Sequence, residues 1–212
     1  MPFHDMLGAG YLAIMKQRLR GEREVLVWPR QMRDLLRPHL QKGAVVLEAG
    51  CCVGTAYQAF EGTGINYIGL DNEPKYLAVA EEWYRDEPRV SFVQHDLTKG
   101  GLPVPADIVI CSATLEHCLG FQPGLKYLAE GAGHILVLRT FLGYQEQIAY
   151  RTTAVGERFH VNRYAFRDVL SYLTGKGFAV KVHRDRHTDS IPQFLDGWMR
   201  TFYVIFAERV AG

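Results

Sequence analysis

The chain has 212 residues, 48% hydrophobic and 12% aromatic, which suits one compact domain with a substantial core and excludes global disorder. Its 24 basic and 23 acidic residues leave a formal charge of +1, so overall charge gives no drive towards nucleic acid or a membrane surface. No apolar run reaches the roughly 18–20 residues of a bilayer-spanning helix, the N-terminus lacks a secretory pattern, and Cys51, Cys52, Cys111 and Cys118 form no C-x-x-C pair; a cytoplasmic protein with buried, reduced thiols is expected.

Before residue 45 the periodicity is helical. Leu7, Tyr11, Ile14 and Met15 recur at three-to-four-residue spacing, and Met32, Leu35, Leu36 and Leu40 follow in a second stretch. Residues 1–43 are therefore expected to form a helical cap or packing segment, and residues 44–212 one α/β domain. Short apolar runs at 44–49, 66–70, 90–94, 106–112 and 133–139 read as strands of a mainly parallel sheet, because strands buried on both faces are apolar nearly throughout. Helices are predicted near 55–61, 74–85, 121–130 and 163–175, and two β-like runs at 178–184 and 200–209 close the chain. The connection from Thr140 to Asn162 is long and aromatic, as functional connections often are.

The strongest local feature is Val45-Val46-Leu47-Glu48-Ala49-Gly50-Cys51-Cys52-Val53-Gly54-Thr55, an apolar strand that enters a glycine-containing turn and then a helix. Gly50 and Gly54 allow tight turning and close approach of a ligand to the backbone. The next strand, Tyr67-Ile68-Gly69-Leu70-Asp71, ends in an acid twenty-one residues after Gly50, placed to accept both hydroxyls of a ribose. A third delivers Phe92-Val93-Gln94-His95-Asp96-Leu97, where Asp96 can accept from an adenine amino group. A dinucleotide enzyme is the nearest competitor. Against it, the turn lacks G-x-G-x-x-G, and Glu48 would set negative charge beside a pyrophosphate. The same acid suits a ligand that carries an ammonium group.

These segments resemble the class I S-adenosylmethionine-dependent methyltransferase family over about residues 44 to 140. Glu48-Ala49-Gly50-Cys51-Cys52-Val53-Gly54 is similar to the family's first motif, acid-x-G-x-G-x-G, with Cys52 in place of the middle glycine. The resemblance implies a Rossmann-like sheet of about seven strands, mostly parallel with an antiparallel C-terminal strand, and S-adenosylmethionine as cofactor. It sets Glu48, Gly50, Cys51 and Gly54 against the methionine portion, Asp71 on the ribose, Asn72, Asp96 and Leu97 around adenine, and Ser112 at the fourth strand end, facing the transferred methyl. There Ala113-Thr114-Leu115-Glu116-His117 is similar to the metal-ligating E-x-x-E-H of some members, but Ala113 replaces the first acid, so no metal is expected. His117 is the candidate general base.

Arg139, at the end of the fifth strand, and Tyr144 and His160 beyond it are the candidate acceptor-binding residues; Arg163, Tyr11, Trp28 and Tyr150 are further candidates for enclosing the acceptor. The expected function is methyl transfer to an oxygen or nitrogen of a small-molecule acceptor. The alternative is a catalytically silent methyltransferase-like binding or scaffold protein, suggested by Cys52 and Ala113. Acceptor identity and oligomeric state are not legible in the sequence.

Overall fold

The structure, a computed structural model, describes residues 9–24, 26–152, 158–195 and 197–210; Leu7 lies outside them. Helices α1 (Ala9–Leu19) and α2 (Val27–Leu36) precede strand β1 (Val45–Ala49). Then come β2 (Asn66–Asp71), α3 (Pro74–Trp83), β3 (Val90–Gln94), β4 (Ala106–Ser112), α4 (Gln122–Gly131) and β5 (Ala132–Gly143). The hairpin β6 (Tyr150–Thr152) and β7 (Arg158–His160), the short β8 (Tyr164–Ala165), α5 (Phe166–Gly175) and β9 (Phe178–Arg184) follow. A second hairpin, β10 (Gln193–Leu195) and β11 (Trp198–Arg200), leads into β12 (Phe202–Arg209).

The main sheet runs β3-β2-β1-β4-β5-β12-β9, with β8 paired to the end of β5. Pairing is parallel from β3 to β5, and β12 is antiparallel to both of its neighbours. This is the Rossmann-like methyltransferase sheet. Within β4, Ile108 and Ile110 join one core cluster with Val46 and Tyr67, while Val109 joins the other with Leu47 and Leu136, as strand alternation requires. Met15, Leu19, Met32 and Leu36 pack into the first cluster, so α1 and α2 cover that face of the sheet.

Register decides where the strand ends emerge. Ala49 sits opposite both Leu70 and Cys111, and Asp71 lies opposite Gln94. The turns after β1, β2, β3 and β4 consequently open at one rim, the edge where open α/β sheets bind ligands.

Three elements differ from the sequence reading, each for a local reason. The predicted helix at 55–61 is a 3₁₀ segment, Thr55–Ala59, because i to i+3 bonds run on from Gly54 and Gly62 then turns left-handed at φ +77°. Helix α5 begins at Phe166 instead of 163 because Tyr164 and Ala165 pair with Leu142 and Gly143 of β5. The last strand begins at Phe202 because Trp198–Arg200 is taken up in the β10–β11 hairpin.

Candidate active site

The turn after β1 alternates through the left-handed region: Gly50 has φ +80°, Cys52 +53° and Gly54 +74°. Cys52 thus adopts the backbone a glycine would take with ease, at a cost of roughly 1–2 kcal/mol for a residue with a β-carbon. Its N–H donates to Asp71 Oδ2 at 2.8 Å, and the backbone N–H of Glu73 donates to Oδ1 at 3.0 Å, so one carboxylate fixes two loops.

Above these loops lies a cavity of about 550 Å³, within the usual range for small-molecule sites. Glu48, Gly50, Cys51, Asp71, Asn72, Asp96, Leu97 and Ser112 all line it, as do His117 and Arg139. Tyr11, Met15 and Arg18 of α1 and Trp28 of α2 complete the wall on one side. Gly54, Tyr144 and His160 are not lining residues. Gly54 shapes the loop from behind, its carbonyl accepting from the Tyr84 hydroxyl at 3.0 Å and its Cα facing the Phe92 ring. Tyr144 is 94% exposed beyond the end of β5, and the His160 ring lies against Tyr150. Tyr150 and Arg163, too, are outside the lining.

Glu48 is buried and accepts from the Tyr67 hydroxyl. Burial raises its pKa to about 7 against the opposing effect of that bond, and the Asp71 charge raises it further. Glu116, also buried, accepts from Thr140 Oγ1 at 2.9 Å, and burial raises it to about 7 against its hydrogen bonds and the Arg139 and Arg200 charges. Asp96 accepts from the backbone and hydroxyl of Thr98 and pairs with Lys99; burial opposes ionisation there, but these contacts outweigh it and its pKa is lowered.

His117 Nδ1 lies 2.7 Å from the carbonyl of His160. A carbonyl only accepts, so Nδ1 carries the proton and the lone pair of the neutral ring is at Nε2. Burial lowers its pKa to about 4, against the pull of that carbonyl and helped by the Arg200 charge. Asn162 buckles the same loop to the turn after β4: its N–H donates to the Glu116 carbonyl at 2.9 Å and its side-chain amide to the Cys118 carbonyl at 2.8 Å.

Arg139 is committed inside the protein. Its guanidinium makes a two-bond ion pair with the buried Asp185, at 2.9 and 3.0 Å, and stacks 3.8 Å from the Phe202 ring centre. The cavity also takes residues that the sequence reading did not assign to the site: His95, Arg151, Phe159, His187, Thr188, Arg200 and Phe202. Among its lining residues, Arg18, His95 and Ser112 each have a buried polar atom (Nε, Nε2 and Oγ) without a hydrogen-bond partner among the described residues, which fits a polar ligand at this rim. Among the described residues no group of three or more His, Cys, Asp and Glu side chains is arranged to hold a metal ion.

The raised carboxylates and the depressed imidazole act on stability in opposite directions. The Glu48 and Glu116 contributions are full below their unfolded pKa of about 4.5 and lost as pH rises through about 7, a change on the order of 3 kcal/mol each. The His117 contribution is full above about 6.5 and lost as pH falls through about 4. Smaller shifts, upward at Glu61 and downward at His183 and His187, add to the two sides, and the large shifts at Glu48 and Glu116 outweigh the imidazoles between these limits. Urea denaturation of the ligand-free protein should therefore show stability falling from about pH 5 to about pH 7.5, with a shallower fall in Glu48→Gln. An unchanged slope in that variant would mean that Glu48 is not protonated in the folded state.

The sheet order and the shared rim cavity define a Rossmann-like class I methyltransferase fold. Residues 47–132 match the sequence model of a family described as methyltransferase domain. Magnesium protoporphyrin IX methyltransferase from Synechocystis PCC 6803, solved with S-adenosylhomocysteine bound, is 18% identical with a TM-score of 0.64, and the match covers 97% of each chain. A Clostridium acetobutylicum S-adenosylmethionine-dependent methyltransferase is 11% identical with a TM-score of 0.66, covering 95% of this chain and 98% of that one. The glycopeptide N-methyltransferase MtfA, complexed with S-adenosylmethionine, is 15% identical with a TM-score of 0.61, covering 86% and 94%. At these identities the likeness is one of fold. The curated protein sequences hold no significant match.

Proposed function

We propose that the protein transfers the methyl group of S-adenosylmethionine to an oxygen or nitrogen of a small-molecule acceptor held in the same cavity. One observation carries this reading: Glu48, Asp71, Asp96 and Ser112, from four different strand ends, line a single cavity together with His117. When bound, the cofactor would supply an electrophilic methyl carbon, open to displacement by the acceptor atom with the thioether sulfur as leaving group.

In this reading Glu48 faces the ammonium of the methionine portion, Gly50 and Cys51 let the backbone approach it, and Gly54 sets the loop. A carboxylate oxygen accepts more than one hydrogen bond, so Asp71 can hold the Cys52 and Glu73 loops and still accept from the ribose hydroxyls. Asn72, Asp96 and Leu97 border adenine, and Ser112 lies towards the sulfur. Alignment in a largely dry cleft is the main contribution of the chain, worth on the order of 7–11 kcal/mol of barrier in well-oriented systems.

His117 serves at the reacting end, where its Nε2 lone pair accepts the proton of the acceptor hydroxyl or amine. With a pKa of about 4 it is neutral through the working range but is a weak base. His117→Ala should therefore lower kcat by about a hundred-fold, the lower end of general-base effects, with S-adenosylhomocysteine affinity nearly unchanged. The measurement is label transfer from methyl-tritiated S-adenosylmethionine to a panel of hydroxy and amino compounds. No labelled product from any acceptor, in a protein that binds the cofactor, would contradict the proposed activity and favour a binding protein.

A further inference from the structure

Helix α1 brings a cation to the turn after β1. Arg18 lines the cavity from this helix, whereas the other lining arginines among the described residues, Arg139, Arg151 and Arg200, come from β5, β6 and β11. The end of α1 is fixed against the segment that follows the turn. The Gln58 side-chain amide donates to the Leu19 carbonyl at 2.9 Å, and Met15 packs in one core cluster with Val53 and Tyr57. The charge of Arg18 is accordingly felt at Cys52 in the turn and at Tyr11.

The three nitrogens of the Arg18 guanidinium differ in their surroundings. Nη2 donates to Glu24 at 2.8 Å and Nη1 lies 3.4 Å from the Met15 sulfur, whereas Nε is buried without a hydrogen-bond partner. The Arg18 side chain is 19% exposed but that of Glu24 is 64% exposed, so solvent weakens their pairing. A buried N–H without an acceptor is costly, and an acceptor atom on a ligand removes that cost.

An anion at this turn needs such a cation. In open α/β sheets a helix after the first strand turns its N–H groups towards an anion, but the segment here is the five-residue 3₁₀ stretch Thr55–Ala59, too short to present a helix dipole. Glu48 and Asp71 line the same cavity and repel a further negative charge. We propose that Arg18, through Nε, holds the carboxylate of the methionine portion of S-adenosylmethionine, so that the N-terminal helix forms part of the cofactor site. This rests on the methyltransferase reading above. An α-amino acid carries both charges on one carbon, and an acid from β1 with a base from α1 fixes the way that carbon is turned.

The test titrates the whole chain by calorimetry with S-adenosylhomocysteine and with its decarboxylated analogue S-adenosyl-3-thiopropylamine, which keeps the adenosine, the sulfur and the amine. S-adenosylhomocysteine should bind the wild type about tenfold or more tighter, as expected for a hydrogen bond between charged groups. Arg18→Met should erase that preference by weakening S-adenosylhomocysteine about tenfold or more, with the analogue bound as in the wild type. Arg18→Lys, which keeps the charge but has no Nε–H, should keep part of it. Equal affinity of the two ligands for the wild type, or a preference that persists in Arg18→Met, would overturn the proposal and leave the methyltransferase reading standing. Binding of neither ligand to the wild type would overturn both. Should Arg18→Met lose both ligands through misfolding, Arg18→Lys decides: a reduced preference supports the role of Arg18, and an unchanged one contradicts it.

Discussion

Replacing Asp71 with alanine is expected to abolish measurable S-adenosylhomocysteine binding while leaving a folded protein. Two hydrogen bonds from ribose hydroxyls to a charged acceptor contribute roughly 1.5–3 kcal/mol each, so their loss weakens binding by about a hundred-fold to ten-thousand-fold. Asp71 also holds the N–H groups of Cys52 and Glu73, and removing it frees a loop that keeps Cys52 in the left-handed region. A further stability loss of about 1–3 kcal/mol follows from leaving those donors unsatisfied. Asp96→Ala should weaken binding much less, because Asp96 is already engaged by Thr98 and Lys99 and one adenine amino contact is at stake. Calorimetry on the two variants, with urea denaturation alongside, separates affinity from folding. Near-normal affinity in Asp71→Ala would remove this residue from the site.

Gly50→Ala is the second large effect, and it acts through shape alone. A β-carbon at position 50 would lie 2.0 Å from Thr114 Oγ1 and 2.8 Å from Thr114 Cβ, and the backbone there has φ +80°. The left-handed conformation costs roughly 1–2 kcal/mol and the overlap about 1–3 kcal/mol more, a total of about 2–5 kcal/mol. The turns after β1 and β4 cannot both keep their places, so cofactor binding should fall with stability. Gly62→Ala is the control: it has a similar φ of +77°, but nothing stands within 4 Å of an added β-carbon. It should cost only the backbone strain and leave binding intact. Equal losses in the two variants, read from urea midpoints, would mean that close packing of Gly50 on Thr114 does not matter.

Much of this architecture was legible in the sequence, and the reasons are local. Val45–Ala49 and Ala106–Ser112 read as strands because central parallel strands are apolar on both faces, and Asp71 and Asp96 stood out as acids at strand ends. Parallel register then carried those acids to one rim. The acceptor side was less legible because it is assembled from distant segments. Asp185 meets Arg139 across 46 positions, and no local spacing announces such a pair. Arg139 therefore read only as a ligand-facing residue at the rim, whereas it lines the cavity while held in an ion pair with Asp185. Arg200 carried one faint signal, a charge set in an aromatic run, which in a strand implies either an edge or a buried partner. Tyr144 was misleading for the opposite reason: an aromatic in a long connection suggested an enclosing wall, whereas the β5 strand runs on to Gly143 and leaves it in solvent.

The most direct measurement is a crystal structure of the protein grown with S-adenosylhomocysteine. The prediction is density at the rim with the ribose on Asp71, the amino group towards Glu48, adenine beside Asp96 and Leu97, and the sulfur facing the Ser112 and His117 end of the cavity. A ligand bound elsewhere, or one in this cavity with its ribose turned away from Asp71, would contradict it.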